Sequence, residues 1–187
     1  MKIDENIARH YNLTEEDIAL TMSGYVPMKL KANDFFLQEG EVADYIGFVT
    51  KGLLRSYVYD DFANEITSDF FPENTLIISF DSFNNRVPAK EYIKAIEDSE
   101  LMVISYEKQK ELYQKIPAWN LICRDLADYK SREMIERAKK FQMMSATERY
   151  QNFCTEHPDL LQRTTLGTIA SYIGVDIATL SRIRKKI

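Results

Sequence analysis

The spacing of apolar residues changes twice along the chain. Residues 4–23 carry them at helical intervals, and Thr14 with Asp17 has the spacing of a capping box that starts a second short helix. From Tyr25 to about Ser105 the period shortens to that of strands. Short apolar stretches recur at Val26–Leu30, Phe35–Leu37, Tyr45–Thr50, Leu53–Tyr59, Ile66–Phe71, Tyr92–Ile96 and Leu101–Ile104. Turn-forming runs separate them: Lys31–Asp34, Glu39-Gly40-Glu41, Lys51-Gly52, Asp60-Asp61 and Pro72-Glu73-Asn74. Several short strands at near-regular spacing predict a small antiparallel barrel or jelly roll, which commonly encloses one small ligand. Phe70, Phe71, Phe80, Phe83 and Tyr92 are enough to fill such a barrel, so a hollow interior does not follow from the pattern.

Helical spacing returns after Ser105. Residues 106–116 read as a short helix stopped by Pro117, and residues 118–143 as a long one. Ile122, Leu126 and Tyr129 form a narrow seam, which drifts after Arg132-Glu133 to Ile135, Ala138 and Phe141. A long helix with a narrow seam between two domains predicts pairing with its twin in a homodimer. The competing reading packs it on its own barrel. Ser145 with Glu148 opens a further helix as a capping box, and His157-Pro158 closes it.

Residues 166–187 read as a helix-turn-helix. Thr164 or Thr165 caps the first helix, Gly174 supplies the tight turn, and Asp176 caps the second helix. Ala170 lets the second helix approach, while Ile169, Ile173, Val175, Leu180 and Ile183 fall on the buried side. The exposed side then carries Ala178, Thr179, Ser181, Arg182, Arg184, Lys185 and Lys186, the donors and small contacts of a groove-reading helix. The expected fold is α+β. A sensor barrel with flanking helices spans 1–117, a dimerisation helix 118–143, and a helix-turn-helix domain 144–187.

Charge sharpens this picture. The net charge is −5. Its polarity matters more: residues 1–128 hold 13 Lys+Arg against 23 Asp+Glu, and residues 129–187 hold 11 against 6. The basic end coincides with the helix-turn-helix and gives it the electrostatic footprint of a DNA domain, while the acidic remainder faces away from phosphate. Double-stranded DNA with a palindromic operator is the expected partner. The alternative is a ligand-binding barrel whose helix pair serves protein contact, and steep salt dependence separates the two.

Other chemistries are disfavoured. Residues 25–105 contain no His and no Cys, so a metal-dependent barrel enzyme lacks its ligands, and no catalytic residues, metal site or cofactor are expected. Cys123 and Cys154 show no Cys-x-x-Cys spacing and read as buried free thiols. The N-terminal residues lack an apolar signal stretch and no run is long enough to span a membrane, so a cytoplasmic protein is expected.

The order of barrel, long helix and C-terminal helix-turn-helix resembles the Crp/Fnr family of bacterial transcription regulators over essentially the whole length. Lys31–Tyr57, Ala95–Leu101 and Ser145–Tyr150 resemble its opening hairpins, its closing sensor strand and the start of its DNA domain. Ile169–Gly174 and Leu180–Lys186 resemble the branch common in Bacteroidetes-type bacteria. The resemblance implies a homodimer on DNA and allows a small-molecule effector.

Departures from the family pattern qualify that implication. Cyclic-nucleotide-binding members hold the ribose with a Gly-Glu and the phosphate with an Arg followed by a small hydroxyl residue. Here Glu73 lacks the preceding Gly, the Arg position aligns with Ala89, and the hydroxyl position with Lys90. Arg86 lies nearby but off register. Glu73, Arg86 and Lys90 are the candidate effector residues, and cyclic AMP is not the expected ligand. Two distant cysteines do not make an iron–sulfur site, and His10 and His157 lie outside the barrel as surface residues rather than haem ligands. Ile177 and Ala178 stand where the best-known members carry an Arg-Glu pair, while Arg182 matches a later family Arg suited to guanine.

Overall fold

The structure is a computed structural model that describes residues 5–186; the expected helix start at residue 4 and the terminal Ile187 lie outside the described residues. Helices α1 (Glu5–His10) and α2 (Glu15–Gly24) lead in. The Thr14–Asp17 capping box is present, with Asp17 N–H donating to Thr14 Oγ1 (3.1 Å) and Thr14 N–H to Asp17 Oδ2 (2.9 Å).

Among the described residues eight strands follow: β1 (Val26–Leu30), β2 (Phe35–Leu37), β3 (Tyr45–Lys51), β4 (Leu54–Tyr59), β5 (Glu65–Phe71), β6 (Leu76–Ile77), β7 (Tyr92–Ala95) and β8 (Ser99–Ser105). They form two four-stranded sheets, ordered β1-β8-β3-β6 and β2-β7-β4-β5. Every pairing is antiparallel, and neighbours within a sheet are mostly distant in sequence. This interleaving is a two-sheet jelly roll. Of the two architectures expected, the jelly roll is the one formed. Strand β6 and the short helix α3 (Phe80–Asn85) were not legible in the apolar pattern; two and six residues are too short to establish a period.

Alternation drives the packing. In β8, Ser99, Leu101 and Val103 face inward at period two and are buried. Gly52 turns β3 into β4 at φ +98, where an added Cβ would lie 2.3 Å from Ser99 Oγ, so this turn requires glycine. Leu54, Ile77, Ile93 and Ile104 form the interior with Phe71 and Phe83. The five aromatics expected inside divide instead. Phe71 and Phe83 fill the core. Tyr92 stacks on Tyr57 at 5.1 Å, and Phe80 lies half-buried beside a cleft. Phe70 points out of the sandwich to the C-terminal helices.

Helix α4 (Tyr106–Lys115) is followed at once by the 27-residue α5 (Pro117–Met143). Pro117 both ends the first and begins the second, since a missing N–H costs nothing in the first turn of a helix. Only Trp119 of α5 is buried; residues 131–136 are all exposed, Met134 at 70% and Ile135 at 55%.

The C-terminal unit comprises α6 (Ala146–Glu156), α7 (Leu160–Arg163), α8 (Leu166–Ile173) and α9 (Ile177–Arg184). Tyr150, Phe153, Leu160, Ile169, Ile173, Leu180 and Ile183 make its core, and Leu53 and Phe70 of the jelly roll complete it. The two units therefore share an apolar core. Phe70 lies 5.0 Å from Tyr172 and 6.2 Å from Phe153.

Candidate nucleic-acid interface and sensor site

Local signals build the helix-turn-helix. Thr165 caps α8, accepting from Thr168 N–H (3.1 Å). Gly174 then takes φ +71, with its N–H donating to Ser171 O (3.2 Å) and Val175 N–H donating to Ala170 O (3.0 Å). These two bonds are a Schellman motif, which closes a helix on a left-handed residue. Asp176 caps α9 by accepting from Thr179 N–H at 2.7 Å. Ala170 is buried between the two helices, as expected of a small residue at the crossing.

Helix α9 turns Leu180 and Ile183 inward. Ala178, Arg182 and Lys185, spaced four and three apart, form one exposed stripe, and Lys186 extends the basic surface beside it. Thr179 and Ser181 are half-buried flanking positions, and Arg184 is exposed against Tyr150. Ile177 is 55% exposed, yet it covers Gly167, where an added Cβ would sit 3.3 Å from Ile177 Cδ1. Arg182 is already oriented. Its Nη2 donates to Thr179 Oγ1 (2.9 Å), and that hydroxyl donates to Asp176 Oδ2 (2.8 Å). The Asp176 carboxyl is held below the usual carboxylate range, first by the Thr179 backbone N–H.

The turn is also clasped by the long helix, which the sequence did not reveal. Phe141 lies against Gly174; a Cβ there would stand 2.6 Å from Phe141 Cε1. Arg149 donates to Ile173 O and Met144 O, both at 2.8 Å, and its guanidinium lies 5.0 Å from the Phe141 ring centroid. Arg137 sits 4.1 Å over Tyr172 and donates to the Tyr172 carbonyl (3.1 Å). One helical register on α5 thus grips the helix-turn-helix through Phe141 and Arg137.

The three candidate effector residues do not converge. Glu73 lies in the β5–β6 turn and is fully engaged. Its carboxylate accepts two bonds from Arg163 of α7 (2.9 Å each) and one from Gly52 N–H (2.8 Å). Arg163 beside Glu73 holds that carboxyl at about 2, and Arg163 also reaches Glu97 (2.6 Å) and Asp159 (3.2 Å). Arg86, left-handed at φ 55, donates to Ala43 O and Asp44 and lies 4.3 Å over the Tyr106 ring. Lys90 is exposed, and Ala89, at the expected arginine position, is buried. Arg163 and Glu97 were missed because nothing local marks partners 66 to 90 positions apart.

The thiols and imidazoles differ in part from expectation. Cys123 and Cys154 are half-buried rather than buried. His10 is exposed, but His157 is half-buried against Phe153 (5.4 Å) and is not a surface residue. Among the described residues no cluster of His, Cys, Asp and Glu could hold a metal ion, and no helix is long and apolar enough to cross a membrane.

Residues 27–116 match the family model of the cyclic nucleotide-binding domain. A sequence search of curated proteins gives no significant match. Among solved structures, the chain is similar to FixK2 from Bradyrhizobium japonicum at 15% identity and TM-score 0.76, covering 87% of this chain and 83% of that one. It is similar to CLP of Xanthomonas campestris, described as a c-di-GMP responsive global regulator, at 15% identity and TM-score 0.73, covering 92% and 91%. It is also similar to a transcriptional regulator of the crp/fnr family from Eubacterium rectale at 16% identity and TM-score 0.76, covering 98% and 87%. Residues 27–116 of this chain are therefore similar to a cyclic nucleotide-binding domain, within an overall fold shared with the solved structure of a crp/fnr family regulator.

Proposed function

We propose that this chain is a sequence-specific DNA-binding transcription regulator of Crp/Fnr type, acting without catalysis as a cytoplasmic homodimer. The observation that carries the reading is the exposed Ala178–Arg182–Lys185 stripe of α9, held by two side-chain caps and a Schellman turn. An exposed basic helix fixed at a steep turn suits the major groove. Arg182 reads a guanine, Ala178 and Thr179 line the adjacent base edges, and Ser181, Arg184 and Lys185 meet the backbone.

Dimerisation is supported by an uncovered face in the middle of α5, where Tyr129, Met134 and Ile135 are each more than half exposed. Burying that face against its twin sets two recognition helices for half-sites about one DNA turn apart. Cyclic AMP is not the effector in this reading. A buried cyclic phosphate needs a cationic partner, and Ala89 stands where the family arginine is expected while Arg86 is bound to its own turn. Glu73 serves the contact between units rather than a ribose. The Bacteroidetes-type branch rests on the C-terminal motif alone.

The test uses duplexes that the protein selects from random DNA. Arg182→Ala is expected to cost ~1–3 kcal/mol and relax the preference at one base position. Lys185→Ala weakens all sequences alike and lowers the salt slope by about 1. If both variants bind and discriminate as the wild type does, α9 is not the reading helix. If binding also shows no steep salt dependence, the helix pair serves protein contact instead.

A further inference from the structure

The exposed side chain of Arg182 is held from within its own helix. Its Nε–H donates to Ala178 O at 3.3 Å, and one Nη2 hydrogen donates to Thr179 Oγ1 at 2.9 Å. Nε and Nη2 lie along one edge of the planar guanidinium, so both bonds use that edge. The outer fork, made by Nη1 and the second Nη2 hydrogen, has no hydrogen bond among the described residues.

The hold on Arg182 passes through Thr179 to Asp176. A hydroxyl has one proton to give. That of Thr179 goes to Asp176 Oδ2 at 2.8 Å, so its oxygen meets Arg182 as an acceptor and keeps no proton for a base. Asp176 Oδ1 meanwhile caps α9 by accepting from Thr179 N–H at 2.7 Å. The cap alone needs a single oxygen, which Ser supplies as well as Asp. The chain to Arg182 needs a second one, and among the good capping residues only Asp brings two acceptor oxygens. The carboxyl lies below the usual carboxylate range, first through the Thr179 backbone N–H and then through the Thr179 hydroxyl, so it is ionised at neutral pH. A negative charge on a helix that meets phosphates is otherwise a cost, because like charges repel.

Given that α9 enters the major groove, we infer that Asp176 and Thr179 are positioning residues that fix Arg182 for guanine. The free outer fork presents two parallel N–H donors. Guanine answers them with two acceptors, O6 and N7, whereas adenine puts its N6 donor in place of one. An arginine free to swing also turns to phosphate, a contact that carries no sequence information. Holding the inner edge keeps the fork on the bases, so a carboxylate that acts only through Arg182 sets the selectivity of the site.

The experiment uses the operator that the full chain selects from random duplexes, and compares guanine with adenine at the base pair that Arg182→Ala relaxes. The wild type is expected to prefer guanine about 30-fold, the middle of the range for a bidentate pair, and Thr179→Val to lower this to about 3-fold. Thr179→Val keeps the branched shape and the backbone cap and removes only the hydroxyl. Thr179→Ser restores the hydroxyl and retains the preference. Asp176→Asn keeps an N-cap, puts a donor where the second acceptor stood, and lowers the preference as well. In an Arg182→Ala background Thr179→Val changes nothing further at that base pair, since its effect runs through Arg182. The positioning role alone is overturned if Thr179→Val or Asp176→Asn retains the guanine preference that Arg182→Ala loses, or if Thr179→Ser loses it. It is also overturned if Thr179→Val costs as much without Arg182 as with it, which would give Thr179 a DNA contact of its own. A wild type with no base pair that Arg182→Ala relaxes overturns the reading of DNA by Arg182, and the positioning role with it.

Discussion

Replacing Gly174 by Ala probes the grip of the long helix on the helix-turn-helix. Two separate costs can be read from the structure. The residue sits at φ +71, and a side chain in the left-handed region costs ~1–2 kcal/mol. The new Cβ would also stand 2.6 Å from Phe141 Cε1, so the ring must move, and overpacking of this kind costs ~1–3 kcal/mol. Together they predict a loss of ~2–5 kcal/mol in urea unfolding. A double-mutant cycle separates them. In a Phe141→Ala background the steric part vanishes, and Gly174→Ala costs only the ~1–2 kcal/mol of the backbone. The interaction term should therefore be ~1–3 kcal/mol. Additivity within ~0.5 kcal/mol would refute the claim that Phe141 braces the turn.

Other expectations concern the seam between the two units. Phe70→Ala removes a buried ring from a core shared by jelly roll and helices, with an expected loss of ~3–5 kcal/mol and separate unfolding transitions by calorimetry and near-UV dichroism. One coincident transition would show that Phe70 does not join them. Arg163→Ala leaves Glu73 and Glu97 side by side; both carboxylates keep over a third of their exposure, so solvent screening limits the loss to about 1 kcal/mol. The pH dependence has a definite sign. Arg163 lowers the Glu73 carboxyl from an ordinary value near 4.5 to about 2, so its stabilisation is complete above 4.5 and is lost as pH falls towards 2. Thermal melts of wild type and Arg163→Ala should converge across that window, and a constant gap would contradict the pairing.

What the sequence revealed follows from the range of each interaction. The caps at Ser145, Thr165 and Asp176 and the left-handed Gly174 are set within a few residues, so the C-terminal motif was legible nearly atom for atom. The strands were legible where one face is buried and the period of two persists. Strand β6 and helix α3 fell below the length at which any period shows. The destination of an aromatic is a tertiary property. Phe70 and Phe71 are neighbours on one strand, and alternation sends them to different cores. The candidate effector residues failed to converge for a related reason. Glu73 and Arg86 each have charged partners that fold back from far along the chain, which residue type alone does not announce.

These contacts describe a molecule in which one helix touches both units. Lys130 of α5 reaches Asp69 of β5 (3.8 Å) and Glu133 (2.7 Å), while Arg137 and Phe141, two and three turns on, hold the helix-turn-helix. On the proposed reading, a change in how α5 pairs or leaves the jelly roll moves α9 with it. In such a device an effector acts by shifting the population of two arrangements rather than by touching DNA.

The most direct test of the central claim is in vitro selection of random duplex DNA by the purified chain with no ligand added. Recovery of one palindromic motif, with half-sites about one turn apart, is the predicted result and requires both DNA reading and a two-fold dimer. Recovery of no motif above background would contradict the assignment of α9 as a recognition helix.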